Sequence, residues 1–140
     1  MITVDCLTKQ EWLPIAADAH LTCFNEIIEP DFNNIDFALI SKKGERLLTY
    51  CTVRQLDKET CYWQYGGALP ECKDTVYSYK GTKASVDACF SYGYKRISFY
   101  VENDNLPMLK LALKLGFRVI GLRNFKKSIL LELFLEKQEG

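Results

Sequence analysis

The alternation of apolar and polar residues along the chain predicts ten short elements. Ile2–Cys6 alternates with a period of two, which is typical of a strand with one buried face. Thr8 and Glu11 have the spacing of a capping box, in which the hydroxyl and the carboxylate each bind a free amide at a helix start. The apolar residues that follow share one helical face, so this helix is expected to run to about His20.

Three strands are expected next, joined by short polar turns. Phe37–Ser41 and Arg46–Leu56 flank a turn in which Gly44 can adopt a positive φ, and Cys61–Leu69 follows a second turn. Connections this short join antiparallel neighbours. The third strand ends in two glycines, Gly66 and Gly67, which often mark a bulge or a close backbone approach.

The second half of the chain alternates helical and strand patterns. The spacing of apolar residues predicts a helix from about Thr75 to Tyr92, which Gly93 ends. Gly81 is expected to weaken this helix by about 1 kcal/mol relative to alanine. The alternation at Ile97, Phe99 and Val101 predicts a strand with one buried face.

The last helix has the clearest boundaries. Asn105 is a good N-cap, Pro107 suits a first turn and Gly116 is expected to end the helix. Phe117–Leu122 and Ser128–Leu135 are the last two strands. Since strands linked by helices form right-handed parallel crossovers, the order predicts one α/β (α+β) domain over residues 1–140, with a mixed sheet of about seven strands flanked by three to four helices.

Composition excludes several classes of protein. The chain has 48% hydrophobic residues, and its 18 basic and 18 acidic side chains cancel. No global field is therefore expected to recruit nucleic acid or an anionic membrane. Apolar runs are far shorter than the roughly 20 residues of a membrane span. The N-terminus lacks the pattern of a secretory signal, which favours a cytoplasmic location.

The cysteines and the histidine favour no metal site. Six cysteines are scattered without a C-x-x-C pair, and there is one histidine, His20. The even count also fits a disulfide scaffold, but without a signal peptide free thiols are the better interpretation. A zinc site with the usual Cys/His clustering is not expected. We interpret His20 as a side chain at a helix end.

The order of the elements and the segment Asn105–Phe117 resemble the GNAT superfamily of N-acyltransferases, of which the chain would be a divergent member. That segment joins an asparagine, a short amphipathic helix and a Gly-Phe that opens the next strand. Gly93–Ile97, which leads into a strand, is also similar. The resemblance is strongest from about Gly66 to Gly121, whereas the N-terminal half matches in element order alone.

The resemblance implies an activity. GNAT enzymes bind acetyl-CoA as a co-substrate without a metal, and an amine attacks the thioester directly. A bulge separates the fourth strand from the fifth, and the pantetheine arm pairs there. The pyrophosphate lies at the next helix N-terminus, where free amides and the helix dipole favour anions. The acceptor would be a small-molecule or protein amine. Family members often pair through the late strands, so a homodimer is one option, with Ser128–Leu135 as the edge strand; a covered edge would look the same in sequence.

Mapping the family pattern onto the chain gives the candidate binding residues. The bulge is expected near Gly67-Ala68-Leu69 and the phosphate loop at residues 73–78. Both glycines of the family loop are absent, and the side chains of Val76 and Tyr77 would crowd a backbone that must approach a pyrophosphate. A shifted register at Lys80–Ala84 restores one glycine. The predicted donor-binding residues are Ala68, Leu69, Lys73, Thr75, Val76, Tyr77, Ser78 and Asn105.

The catalytic residues are less well defined. Ala112 stands where many family members carry a tyrosine that protonates the leaving thiolate. Tyr100 and Glu71 are weak candidates for acid and base; the alternatives are a packed aromatic ring and a solvated carboxylate. Two functions follow: an N-acetyltransferase, or a catalytically silent GNAT-fold protein that acts as a binding or structural module.

Overall fold

The computed structural model describes residues 1–24, 34–68 and 75–138. In these ranges the chain forms seven strands and three helices, in the predicted order. Their bounds are β1 (Ile2–Thr8), α1 (Lys9–Phe24), β2 (Phe37–Lys43), β3 (Arg46–Gln55), β4 (Thr60–Ala68), α2 (Val76–Ser91), β5 (Arg96–Glu102), α3 (Leu106–Lys114), β6 (Arg118–Phe125) and β7 (Ser128–Glu136).

All seven strands form one mixed sheet in the order β1-β2-β3-β4-β5-β7-β6. Every neighbouring pair is antiparallel except β4 and β5, which are parallel because α2 connects them as a crossover. The predicted α/β class with a mixed seven-stranded sheet is therefore confirmed. Strand β7 lies between β5 and β6, so Ser128–Leu135 is not an edge; the edge on that side is β6.

Helices cover both faces of the sheet. Alternate residues of β2 and β3 point to opposite faces, as the pleat requires. One face packs against α2 and α3 and is called the α2/α3 face; the other packs against α1 and is called the α1 face. The core between the α2/α3 face and these two helices contains the buried residues Leu39, Cys51, Val53, Cys61, Trp63, Val86, Cys89, Ile97, Phe99, Val101, Ala112, Phe117 and Leu133. The core between the α1 face and α1 contains Trp12, Ala16, Ala19, Cys23, Ile35, Ala38, Ile40 and Tyr50.

The predicted helix ends are confirmed except the end of α1, which was expected near His20 and lies at Phe24. Thr8 N donates to Glu11 Oε1 (2.9 Å) and Glu11 N donates to Thr8 Oγ1 (3.1 Å), which completes the capping box. Gly93 and Gly116 have φ angles of +104° and +99° and follow α2 and α3. Asn105 caps α3 by accepting a hydrogen bond from the third residue of the helix. These local hydrogen bonds fix where each helix begins or ends.

Gly81 has a tertiary role that helix propensity does not reveal. A Cβ at this position would lie 2.6 Å from Ser41 Oγ and 3.0 Å from Thr49 Cγ2. Gly81 therefore lets α2 approach the sheet closely, and it lies within α2 against β2 and β3. The shifted phosphate register at Lys80–Ala84 is wrong, because these residues belong to the helix body and not to a loop at its N-terminus.

Candidate active-site cleft

The cleft begins where β4 and β5 separate. In the part of the chain that the structure describes, residues 60–62 pair with residues 96–98 and the ladder then ends. Residues 63–68 of β4 stay paired with β3, and residues 99–102 of β5 stay paired with β7. We call these two diverging segments the fork. A cleft of about 840 Å³ opens between them. Because backbone groups on an open strand edge can bind an extended polar chain, the fork suits a ligand that adds itself like a strand.

A β-bulge lies at the start of the fork. Thr52 of β3 pairs with Tyr65 of β4. The next residue, Val53, pairs with Trp63, which leaves Gln64 as the extra residue of the bulge. At this bulge the Tyr65 amide donates to the side-chain oxygen Thr52 Oγ1 (3.2 Å), which takes the place of a backbone carbonyl of β3. A bulge bends its strand and increases the local twist, which helps β4 to turn away from β5.

The predicted position of the bulge is wrong for two of its three residues. Gly67 and Ala68 pair in regular register with β3, and Leu69 lies outside the described residues. The neighbouring glycine marks a close approach instead, since a Cβ on Gly66 would lie 3.1 Å from the carbonyl oxygen of Tyr50. A glycine in a strand can mark either a bulge or a close approach, and the three residues at the observed bulge, Trp63, Gln64 and Tyr65, include no glycine.

Aromatic side chains line both faces of the fork. On the α2/α3 face, the rings of Trp63 and Phe99 stack with centroids 6.1 Å apart, and Phe117 meets Phe99 edge-on at 5.0 Å. All three rings are buried. On the α1 face the cleft is lined by the tyrosines Tyr50, Tyr65 and Tyr100. The cleft therefore has a rigid apolar wall and, on its other face, a wall with hydroxyl groups.

The N-terminus of α2 opens onto the cleft. Thr75 is its N-cap, and Thr75 Oγ1 accepts a hydrogen bond from the Tyr77 amide (3.2 Å). Thr75, Val76 and Ser78 line the cleft. The helix itself supplies no carbonyl partner to the amides of Val76 and Ser78, because these residues lie in its first turn. The structure thus places a dipole end that favours anions beside the fork.

Tyr77 does not block this helix end. Lys43 Nζ donates to Tyr77 Oη (3.1 Å) and lies 4.9 Å from the centroid of the Tyr77 ring. These contacts hold the ring towards β2, on the side of the helix away from the cleft. Val76 lines the cleft but is 54% exposed and does not fill it. The crowding expected from these two side chains is therefore not observed.

Three predicted site residues lie outside the described ranges: Leu69, Glu71 and Lys73. Ala68 is the last residue of β4, at the outer end of the fork. Asn105 lines the cleft, and its Oδ1 accepts a hydrogen bond from the Met108 amide (3.3 Å) as the cap of α3. Whether these residues bind a donor stays a prediction.

Ala112 and Tyr100 occupy different environments. Ala112 is fully buried against the aromatic wall, so this position has no hydroxyl and no access to solvent. Tyr100 lines the cleft from β5 and meets the Tyr62 ring edge-on at 6.1 Å, while the guanidinium carbon of Arg123 lies 5.8 Å from its centroid. Burial, followed by the neighbouring Tyr100, raises the pKa of Tyr62. The role of Tyr100 as an acid stays a prediction.

Sequence reasoning missed two features, one in the cleft and one in the core beside it. Lys110 and Lys114 line its mouth from α3, and Lys114 Nζ lies 4.6 Å from the centroid of the Tyr79 ring on α2. His20 does not lie at a helix end, because α1 runs on to Phe24; it is buried, and its Nδ1 lies 2.9 Å from Tyr50 Oη. The spacing of four residues from the buried Ala16 was a usable signal, because it places His20 on the apolar face of α1.

Two buried thiols behave as core residues. Cys89 Sγ accepts a hydrogen bond from Trp63 Nε1 (3.4 Å). The contact with Cys89, together with burial, raises the pKa of Cys61. Both side chains are fully buried, so neither reaches a ligand in the cleft. Within residues 1–24, 34–68 and 75–138, no cluster of three Cys, His, Asp or Glu side chains could hold a metal ion, and no helix is long and apolar enough to span a membrane.

Comparison with known proteins supports the fold. No family model matches the sequence, and no curated protein matches it. The solved structures do: the ribosomal-protein-S18-alanine N-acetyltransferase of Escherichia coli superposes with a TM-score of 0.78 at 12% identity over 100% of this chain and 97% of that one. An IAA acetyltransferase from Bacillus cereus gives 0.75 at 14% identity over 97% and 99%. A GNAT family acetyltransferase from Elizabethkingia anophelis with acetyl-CoA bound gives 0.73 at 17% over 96% and 97%. The chain therefore has the GNAT acetyltransferase fold.

Proposed function

We propose that the chain is an N-acyltransferase that transfers the acetyl group of acetyl-CoA to the amine of a small molecule or a protein. The observation that carries this proposal is the fork: β4 and β5 pair over three residues and then separate to leave a cleft of about 840 Å³. Backbone groups of β4 that face this gap are available to a ligand, because they can exchange water for a ligand's polar groups.

The residues around the cleft fit an acyl-CoA. The open edge of β4 in the fork can bind the amide groups of a pantetheine arm as an added strand. The N-terminus of α2, with Thr75 as its cap, suits a pyrophosphate. Lys110 and Lys114 add positive charge at the mouth. A structure of a GNAT family acetyltransferase with acetyl-CoA bound shares this fold, which supports the same use here.

The chain contributes positioning and electrostatic stabilisation to the reaction. Acetyl-CoA supplies an activated acyl group at a thioester carbonyl. Trp63, Phe99 and Phe117 form an apolar wall beside the fork, so a bound ligand that displaces water would make stronger hydrogen bonds there. A backbone amide beside the Gln64 bulge would donate to the carbonyl oxygen as negative charge develops on it. Tyr100 and Glu71 stay the sequence-based candidates for acid and base.

Calorimetry with acetyl-CoA and CoA tests the proposal, with two matched variants. Val76 lines the cleft, whereas Leu56 lies in the turn before β4; both are apolar and both are 54% exposed. V76D places a carboxylate at the proposed phosphate site, and we expect CoA affinity to fall by roughly tenfold or more, because like charges close together cost over 1 kcal/mol. L56D adds the same charge elsewhere and should leave affinity within about twofold. No binding to the unmodified chain contradicts the proposal.

A catalytically silent binding or structural module is the second candidate. The fully buried Ala112 at the family's tyrosine position favours it, as do the missing loop glycines. Release of CoA thiol from acetyl-CoA, measured against a panel of amines, separates the two functions. Acetyl transfer that depends on this chain supports the enzyme, and CoA binding without transfer to any amine supports the silent module.

A further inference from the structure

A buried pair of titratable side chains lies beside the fork on the α1 face. Nδ1 of His20 is 2.9 Å from Oη of Tyr50. His20 is 5% exposed and Tyr50 is 3% exposed. The indole ring of Trp12 stacks on the Tyr50 ring with centroids 5.1 Å apart and an interplanar angle of 28°. A phenol held by stacking and hydrogen-bonded to an imidazole is fixed in one orientation.

Tyr50 lies at the border between the cleft and the core under α1. Tyr50 lines the cleft, and its partner across the β3–β4 ladder is Gly67. Because glycine has no side chain, β4 places no side chain beside Tyr50 at this position. A relay to the cleft requires that the 3% of Tyr50 that is exposed include its hydroxyl. Tyr100 also lines this face, but it packs against Tyr62 and under Arg123. Tyr50 differs from Tyr100 in that its hydroxyl lies within hydrogen-bonding distance of an imidazole nitrogen, Nδ1 of His20.

We propose that Tyr50 and His20 form a proton relay that deprotonates the acceptor amine, an inference that rests on the proposed acetyltransferase function. An aliphatic amine arrives mostly protonated at neutral pH and cannot attack until it loses a proton. In the relay, an ammonium proton passes to Tyr50 Oη while the Tyr50 proton passes to His20 Nδ1. The neutral nitrogen then bonds to the thioester carbon, the C–S bond breaks, and the second amine proton ends on the departing sulfur.

The relay supplies a general base, although β4 carries no carboxylate that could act as one. The residues of β4 from Thr60 to Ala68 include no Asp or Glu. An imidazole is the side chain best matched to proton transfer near neutral pH. The relay places that base on α1, in the N-terminal half, and connects it to the fork through a phenol. Acceptor amines would therefore approach from the α1 face, opposite α2 and α3.

The tautomer of His20 is the first test. The relay needs Nδ1 to be the acceptor, so the neutral ring must carry its proton on Nε2. The chain has one histidine, so nitrogen NMR of ¹⁵N-histidine-labelled protein gives a single imidazole spectrum. We expect the Nε2–H tautomer. A ring protonated on Nδ1 would donate to Tyr50, could not take its proton, and overturns the relay.

Kinetics supply the second test. Initial rates of thiol release are measured over a range of acetyl-CoA concentrations, with an N-terminal peptide amine, a lysine peptide or a polyamine as the acceptor. Y50F keeps the ring and its stacking but removes the hydroxyl, and we expect kcat to fall about 100-fold or more with the KM for acetyl-CoA unchanged. H20N keeps a hydrogen-bonding group near the position of Nδ1 but cannot carry a proton, so its kcat should fall similarly.

The control is Y94F, which removes the hydrogen bond from Tyr94 Oη to Gln55 Oε1 (2.8 Å), outside the cleft. Its kcat should match the unmodified chain. An active enzyme in which Y50F or H20N keeps its kcat overturns the relay and leaves the proposed function intact. If the H20N variant fails to fold, the kcat of Y50F alone decides whether the relay is correct. An unmodified chain that acetylates no amine contradicts the proposed function itself, and the relay with it.

Discussion

Gly81 is the residue at which local and tertiary preferences conflict most clearly. Alanine should favour the helix by about 1 kcal/mol, but its Cβ would lie 2.6 Å from Ser41 Oγ. Ser41 cannot easily move, because it is fully buried and hydrogen-bonded to Thr49. Overpacking of this kind costs about 1–3 kcal/mol. We expect G81A to lower the free energy of unfolding, measured by urea denaturation, rather than raise it.

A second substitution isolates the cause. S41A removes the atom that the new Cβ would strike, so the loss of stability on adding G81A should be smaller in the S41A background than in the unmodified chain. If G81A stabilises the unmodified chain by about 1 kcal/mol, helix propensity alone decides at this position and the packing account is wrong.

The same contrast explains which residue roles the sequence could predict. The capping box of Thr8 and Glu11 was predicted because its partners are three residues apart. The role of His20 was not, because its partner Tyr50 lies 30 residues away. Tyr77 was expected to crowd the α2 N-terminus, and its contact with Lys43 on β2 turns it aside. Long-range partners leave no local pattern in a sequence.

At the scale of elements, the end of α3 can be tested directly. Gly116 has a φ of +99°, and its amide and that of Phe117 donate to Leu113 and Ala112, which closes the helix. G116A should lower stability by about 1–2 kcal/mol, because a side chain disfavours this backbone conformation. The control is G121A in β6, where the new Cβ would come no closer than 3.4 Å to the flexible end of Glu132. Equal losses in both variants would contradict this explanation.

All seven strands and all three described helices agree in type and order with the sequence pattern, because each has a clear period and a polar or glycine boundary. The bulge at Gln64 and the place of β7 inside the sheet were missed. Both depend on how a strand pairs with its neighbours, and one strand's own pattern does not specify its partners.

At the scale of the whole molecule, burial predicts thiol reactivity. Of the five cysteines in the described ranges, Cys6 is exposed and Cys23, Cys51, Cys61 and Cys89 are buried. Iodoacetamide should therefore label Cys6 in the native chain and the other four only after unfolding, as read by mass spectrometry. Desolvation raises the pKa of Cys6. Since the thiolate is the reactive form, its labelling near neutral pH should be slower than that of a free cysteine and should keep rising into more alkaline pH. Rapid native labelling of the buried four contradicts the packing described.

A homodimer stays a proposal, but the strand expected to form its interface is now β6 instead of β7. Because β6 is the edge of the sheet and its Val119, Ile120 and Leu122 are 47–71% exposed, pairing through the late strands would use β6 and not β7. Light scattering after size exclusion should then give twice the chain mass, and V119K with L122K should return it to the monomer. A monomer at all concentrations tested contradicts the proposal.

Hydrogen exchange with and without CoA tests the central claim most directly, because it reports on the fork itself. In the free chain, the β4–β5 ladder covers residues 60–62 and ends there, so the outer half of β4 should exchange faster than these three residues. Saturating CoA should slow exchange in the fork and in the first turn of α2, while the β1–β2 ladder stays unchanged. If the fork exchanges as slowly as the paired ladder in the free chain, or is unaffected by saturating CoA, the proposal that it binds an acyl-CoA is wrong.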